Sequence, residues 1–259
     1  MRRDDKKEGR RDDEETKGER IAKVMAAAGV CSRRDAEKLI AQGSVKVNGK
    51  KITTPATFVT EDDRIHVRGE EVFRETHVLP RVFLYHKPEG LLTTHKDPEG
   101  RATVFDSLPP ELPRVVSVGR LDVNSEGLLL LTTSGALSRA MELPTSGLPR
   151  TYRARVSSRL SDEAISLIRR GITVDGVRYK PAHIEEETTE NTGRNRWYKL
   201  RIVEGKNREI RRIFGHYELH VSRLIRIGYG QFELGTLARG EVKEVPRARV
   251  KKLMESLEL

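Results

Sequence analysis

The sequence predicts a chain in two parts: a small helix–helix–hairpin module, then a larger sheet domain of the α/β or α+β class. Three observations predict it. The length, 259 residues, suits two domains. Within residues 19–68, apolar residues recur at helical spacing and then alternate around Asn48-Gly49. From about Arg81 onward, short β-branched and aromatic runs bounded by Gly or Pro interleave with amphipathic segments.

Taken in order, residues 1–18 (MRRDDKKEGRRDDEETKG) lack apolar periodicity and are expected as a disordered, solvated tail. Residues 1–20 hold eight basic and eight acidic side chains, so the net charge of +10 resides in the folded part. In the module at 19–68, Ile21, Val24 and Met25 share a helical face, and Gly29 stops that helix. Ser32 is placed to cap a second helix, with Asp35 three residues on, a stripe of Ala36, Leu39 and Ile40, and Gly43 at its end. Residues 45–52 alternate around Asn-Gly, the strongest short hairpin signal, and a strand at 64–67 closes the unit. Residues 69–80 read as a polar linker. In the larger domain, 81–245, strands are expected at 82–85, 114–118, 128–132, 152–156 and 197–203. A helix capped by Ser161 runs to Arg170 and Gly171, and another starts at Glu209. A basic amphipathic helix is expected from Arg247 to Leu257, within a terminal segment at 246–259.

Composition excludes several classes. No apolar run approaches the roughly 18 residues that a membrane helix needs. One cysteine, Cys31, rules out a disulfide framework, and the scattered histidines offer no metal-ligand spacing. The N-terminus is charged from Arg2 with no apolar signal core, so a soluble cytoplasmic protein is expected. Neither a phosphate-cradling Gly-x-x-x-x-Gly-Lys loop nor a Gly-x-Ser-x-Gly elbow occurs. The charge of +10 points to a polyanion partner, nucleic acid above all.

Three segments are candidates for function. Arg33 and Arg34 sit in the first turn of a helix, where the macrodipole disfavours cations, near Lys46, Lys50 and Lys51 of the hairpin. Together these make a concentrated phosphate site. The segment Gly119-Arg120-Leu121-Asp122-Val123-Asn124-Ser125-Glu126 is a loop between strands, a favoured place for chemistry, although Asp122 also suits a plain Asx turn. Glu204-Gly205-Lys206-Asn207-Arg208-Glu209-Ile210-Arg211-Arg212 packs three arginines and a lysine into the start of a helix whose Ile210 and Ile213 must face a core.

The stretch ERIAKVMAAAGVCSRRDAEKLIAQGSVKVNGKKI resembles an S4 RNA-binding domain. KPEGLLTTHKDPEGRATVFDSLP, VGRLDVNSEGLLLLTTSG and WYKLRIVEGKNREIRRIF with VSRLIRIGYG resemble the RsuA/RluB branch of the pseudouridine synthases, over about residues 19–245. EGKNREIRR and VSRLIRIGYG are most like the B-type enzymes of the ribosomal large subunit. The resemblance implies an α+β fold with a mixed, mainly antiparallel sheet. It also implies a monomer that isomerises a uridine of ribosomal RNA, 23S rather than 16S, without cofactor or metal, in ribosome biogenesis. It maps the catalytic aspartate onto Asp122, its cationic partner onto Arg211 with Arg208 as runner-up, and the base-stacking tyrosine onto Tyr152. Arg120 would fill the gap left by the flipped uridine, and Leu224 would pack beside the base. Relatives commonly carry Gly where this chain has Glu218, so the helix begun at Glu209 is expected to end differently. The competing reading is a non-catalytic RNA clamp or assembly factor. A clamp needs basic residues but no carboxylate in its RNA groove, so Asp122 and Tyr152 discriminate. No helix of the usual DNA-docking types is evident.

Overall fold

The structure is a computed structural model in which the described residues are 18–73, 78–188 and 193–259. The tail expected at 1–18 lies outside them, apart from Gly18, as does 74–77 of the expected linker. The chain divides into two compact units, the first ending at Val78 and the second beginning at Leu79.

In the first unit, α1 (Ile21–Ala27) and α2 (Arg33–Ala41) pack on a sheet of β1 (Val45–Val47), β2 (Lys50–Ile52), β3 (Ile65–Val67) and β4 (Glu70–Glu71), in the order β2-β1-β3-β4. Ser32 caps α2 as expected: its hydroxyl accepts from the Asp35 N–H at 3.1 Å and donates to the Asp35 carboxylate at 2.6 Å. Asn48 and Gly49 turn the hairpin with φ of 49° and 80°, the two left-handed residues that a type I′ turn demands. Ile21, Met25, Ala36, Ile40, Val45 and Ile65 form the core. The linker expected from residue 69 is corrected at its start. Glu70–Glu71 pairs with His66 and Val67, and Val72 packs on this core, so sheet pairing continues past the polar composition.

The second unit is built on β5 (Val82–Lys87), β6 (Val116–Ser117), β7 (Glu126–Thr132), β8 (Arg150–Val156), β9 (His183–Glu187), β10 (Arg196–Ile202), β11 (Val221–Tyr229) and β12 (Val242–Glu244). Its strand order is β9-β10-β8-β11-β7-β5-β12, antiparallel except where β11 runs parallel to β7, so the fold is α+β. Helices α3 (Gly135–Glu142), α4 (Asp162–Arg170), α5 (Glu209–His216) and α6 (Arg247–Ser256) cover it. α4 and α5 close a core with Ala154, Tyr198, Leu200 and Leu224. α3 and α6 close a second with Val82, Leu128 and Tyr229. α6, expected as a segment apart from the sheet domain, thus buries Val250 and Leu253 in that domain's own core.

β7 pairs with β6 near its C-terminal end and with β11 near its N-terminal end. The connection 118–125 between β6 and β7 is the candidate loop. Just beyond it, only glycine fits at 127: φ is +107°, and a Cβ there would lie 2.3 Å from the Arg226 carbonyl oxygen.

The end of α5 is a finding about Glu218. Its backbone adopts φ +58°, its N–H donates to the Gly215 carbonyl at 2.9 Å, and Leu219 donates back to Phe214 at 3.0 Å. The helix therefore closes with the left-handed turn that glycine usually provides, and the substitution by Glu does not reroute the chain. A side chain in this conformation costs about 1 kcal/mol. Glu218→Gly should accordingly raise the thermal midpoint by about 1–3 °C, less than the full strain because Gly also loosens the unfolded chain. Differential scanning calorimetry checks this; a lower midpoint would show that Glu218 gains more from its surroundings than it loses in strain.

Candidate active site

The loop that carries Asp122 is held through its backbone. The Gly119 N–H donates to Glu142 Oε1 at 3.0 Å, and the Ser138 hydroxyl steadies the same oxygen at 2.8 Å. Thr93 Oγ1 donates to the Leu121 carbonyl at 2.9 Å and accepts the Leu121 N–H at 3.3 Å. The Asp122 carbonyl accepts from Ser125 N–H at 3.0 Å and from the Lys87 ammonium at 3.2 Å. Gly90 N–H reaches the Val123 carbonyl at 2.7 Å, Arg211 Nη2 the Asn124 carbonyl at 2.7 Å, and Lys87 the Ser125 carbonyl at 2.8 Å. Every carbonyl from Leu121 to Ser125 is therefore bonded. The carboxylate of Asp122 is not used for any of this, and 34% of its side-chain surface is exposed.

Arg208 Nη1 lies 3.5 Å from Asp122 Oδ2. This corrects the expected pairing with Arg211. Arg208 precedes α5 with φ +51°, outside the helix, whereas Arg211 is one turn inside, its guanidinium committed to the carbonyls of Val221 (2.8 Å) and Asn124. Burial, then the neighbouring Arg208, lower the Arg211 pKa, while Asp122 and Glu89 oppose the shift. Arg211 is a half-buried cation that braces the loop and adds positive field beside Asp122.

Tyr152 is half-buried on β8 and packs against both the cluster that contains Leu224 and the cluster that contains Leu121. Leu224, 6% exposed, lies directly across from Ala154 on β11. The structure thus gathers Asp122 and Arg208 by direct contact, Arg211 through the Asn124 carbonyl of the same loop, and Tyr152 and Leu224 by shared packing. Arg120 is exposed beside them in sequence. Arg33, Arg34, Lys46, Lys50 and Lys51 are all exposed on the first unit, and Lys46 faces Lys51 directly across the hairpin. Like charges so placed are destabilising, which favours an anionic ligand there.

Lys87 is the residue that sequence reasoning missed. It lies just beyond the strand expected at 82–85, yet it is fully buried, with its ammonium shared among the carbonyls of Pro88 (3.0 Å), Asp122 and Ser125. Burial pushes its pKa down to about 8; Glu89, Asp122 and Glu126 oppose the shift and Arg226 adds to it. A signal existed: Lys87 falls in phase with the buried Phe83 and Tyr85 at the strand period of two.

The turn leading to Arg208 has its own buried carboxylates. Glu209, 3% exposed, accepts the Lys206 N–H at 3.1 Å through Oε2. Burial first, then Glu204, push it up to about 7. Burial also works against ionisation of Glu204, but hydrogen bonds from Lys206 and the Lys180 N–H hold its pKa below the usual range. Because Glu209 binds its proton more tightly folded than unfolded, its contribution to stability is full below about pH 4.5 and is lost as pH rises through about 7. Glu209→Gln is uncharged throughout. It should gain about 2–3 kcal/mol over wild type between pH 5 and pH 8, read from urea midpoints at the two pH values. An unchanged difference between them would refute the shift.

The second unit thus holds a carboxylate, two arginines and a tyrosine at and around the 118–125 loop. Residues 81–216 match the model of the RNA pseudouridylate synthase family, and residues 19–65 match the S4 domain. A protein of Rickettsia felis described as an uncharacterized RNA pseudouridine synthase is 48% identical over 227 residues, spanning 88% of this chain and 96% of its own. The ribosomal large subunit pseudouridine synthase B of Haemophilus influenzae is 41% identical, over 92% of this chain and 68% of its own. A crystal structure of a pseudouridylate synthase superposes with a TM-score of 0.63 at 25% identity, covering 91% of this chain and all of that one. The chain belongs to the RNA pseudouridine synthase family and carries an S4 domain, and is thereby an RNA uridine isomerase. No helix among the described residues is long and apolar enough to cross a membrane.

Proposed function

We propose that the chain converts a specific uridine of ribosomal RNA, in the 23S rather than the 16S molecule, to pseudouridine, acting as a cytoplasmic monomer during ribosome biogenesis. The reaction breaks the N-glycosidic bond, turns the uracil, and joins C5 to the sugar; C5 loses a proton and N1 gains one, so the product is an isomer and nothing is consumed. Asp122 supplies the carboxylate that attacks or stabilises the cationic sugar. Arg208 faces it as its ion-pair partner, and Arg211 fixes the loop that presents it. The target uridine leaves its helix to reach the site. Tyr152 stacks on the base and offers its hydroxyl for proton transfer at C5, Leu224 packs beside it, and Arg120 fills the space vacated in the RNA.

What most supports this reading is the Asp122 loop. Its backbone is anchored residue by residue while its carboxylate is left facing a single arginine. That is preorganisation, which a binding clamp would not need. The large-subunit assignment draws on the name of the Haemophilus relative. Pseudouridine mapping of ribosomal RNA from a deletion strain beside its parent tests it: one missing pseudouridine in 23S RNA is expected, and a loss confined to 16S RNA or to none would overturn it.

The S4 unit is expected to dock the substrate. Reversing Arg33 and Arg34 to Glu should weaken RNA binding at least tenfold near 100 mM salt and flatten its salt dependence, since each lost phosphate contact releases fewer counterions. The single-turnover rate at saturating enzyme should stay within about threefold of wild type. A collapse of that rate would mean that the unit takes part in the chemistry.

A further inference from the structure

The site uses one face of the sheet. On β8, Tyr152 shares the face of Ala154 and Val156, whose partners on β10 and β11 include Tyr198 and Leu224, all closed over by α4 and α5. The alternate residues of these strands lie on the opposite face. There Arg155 stands across from Trp197 on one side and Arg223 on the other, Arg153 stands across from Lys199, and Thr151 from Arg201. None of these side chains belongs to a core, and Arg201 is exposed.

Three features set this face apart from an ordinary solvated sheet surface. First, cations are paired directly with cations: Arg153 with Lys199, and Arg155 with Arg223. Such pairs destabilise a sheet, and a chain that keeps them gains something elsewhere. Secondly, the carboxylates present do not neutralise it. Glu187 holds Arg153 at 2.6 Å, Glu185 lies 3.8 Å from Lys199, and the buried Glu126 is shared between Arg223 and Arg239. Among the described residues, Arg155 and Arg201 have no carboxylate partner. Thirdly, Trp197, the one tryptophan of the chain, is flanked by guanidinium groups 4.7 Å (Arg153) and 6.0 Å (Arg223) from its ring centroid. That stacking holds the two guanidinium groups over the sheet.

We propose that this face is a second RNA surface, which takes the sugar–phosphate backbone of a segment flanking the modified uridine. Its net positive charge and planar guanidinium donors suit phosphate oxygens, and its one aromatic side chain, Trp197, is flanked by Arg153 and Arg223. It lies across the sheet from Tyr152, so the segment bound here is not the one that enters the site. The proposal rests on RNA as the substrate, which the family supplies.

The test is the double variant Arg155→Glu with Arg201→Glu, measured by filter binding to in-vitro transcripts of 23S and 16S ribosomal RNA at several salt concentrations. A control variant, Arg247→Glu with Lys251→Glu on α6, makes the same change in net charge away from the face. We expect the face variant to bind at least tenfold more weakly near 100 mM salt, with a shallower salt slope by about 1–2. The control should stay within about threefold of wild type, and the single-turnover rate of the face variant at saturating enzyme should be unchanged. Arg155→Gln with Arg201→Gln, milder for folding, should show an intermediate loss, and it decides the matter if the Glu pair misfolds. Binding within twofold of wild type, or a loss no larger than the control's, would overturn the proposal; so would a fall in the single-turnover rate. A wild type that binds a transcript without modifying it would count against the ribosomal target while leaving the binding comparison decisive.

Discussion

Asp122→Asn should leave no measurable pseudouridine formation, a loss of at least about 10³-fold, while stability and RNA affinity hardly move. The separation follows from how the residue is held. The Asp122 loop is fixed by backbone groups, which Asn keeps, and the carboxylate makes a long, partly exposed ion pair with Arg208 at 3.5 Å. Such pairs contribute about 0–1 kcal/mol, so the thermal midpoint should shift by no more than a few degrees. Removing a negative charge from an RNA groove should leave binding equal or slightly tighter. The two arginines then divide. Arg208→Met should lose turnover at little cost in stability, because the guanidinium is half-exposed. Arg211→Met should lose both, because the partly buried Val221 carbonyl and the Asn124 carbonyl of the loop lose their shared donor. The assay is pseudouridine formation on ribosomal RNA transcript beside a binding titration at fixed salt. If Asp122→Asn retains more than a few per cent of the wild-type rate, Asp122 is not the catalytic carboxylate.

That division between the arginines marks where the sequence stops being informative. Features set by a side chain acting on its own backbone were legible: the Ser32 and Ser161 caps, the Asn48-Gly49 turn, and the Gly171 stop each depend on residues within four positions. Helix α3 was not, because Gly135 opens it and its stripe rests on Leu137 and Met141 alone. The parallel pairing of β11 with β7 was not legible either, since strand partners about 100 residues apart leave no local trace. Site residues followed the same rule. Motif resemblance brought Asp122 and the arginine row forward. Which arginine meets Asp122 turned on the left-handed backbone of Arg208, something a helical register cannot foresee. Lys87 escaped because a lysine at a strand end reads as surface, and its true environment is made by carbonyls of residues up to 38 positions away.

Lys87 therefore gives the second large effect, and one that separates activity from stability in a different way. Lys87→Met keeps the stem and removes the ammonium. The depressed pKa, about 8, means that the buried charge costs about 3 kcal/mol relative to water. Met relieves that cost but leaves the Pro88 and Ser125 carbonyls without the lysine donor, at about 1–3 kcal/mol each. The two terms nearly cancel, so the urea midpoint should change by no more than about 2 kcal/mol in equivalent free energy. Activity has no such compensation. The ammonium ties the strand end to both ends of the Asp122 turn, and a carboxylate displaced by about 1 Å costs on the order of 10²-fold in rate. We expect kcat to fall by that much with KM little changed. The pH dependence provides a second reading. Between about pH 8 and 10.5 the folded protein has released the Lys87 proton while the unfolded chain still binds it, so this group adds stability as pH rises. Over the same range the neutral amine has two N–H donors for three carbonyls and no charge beside Asp122, so kcat should fall. Wild type should show that alkaline limb with an apparent pKa near 8, and Lys87→Met, at its lower rate, should lack it. A variant with wild-type kcat, or one that keeps the alkaline limb, would show that Lys87 fills space beneath the loop and does not position Asp122.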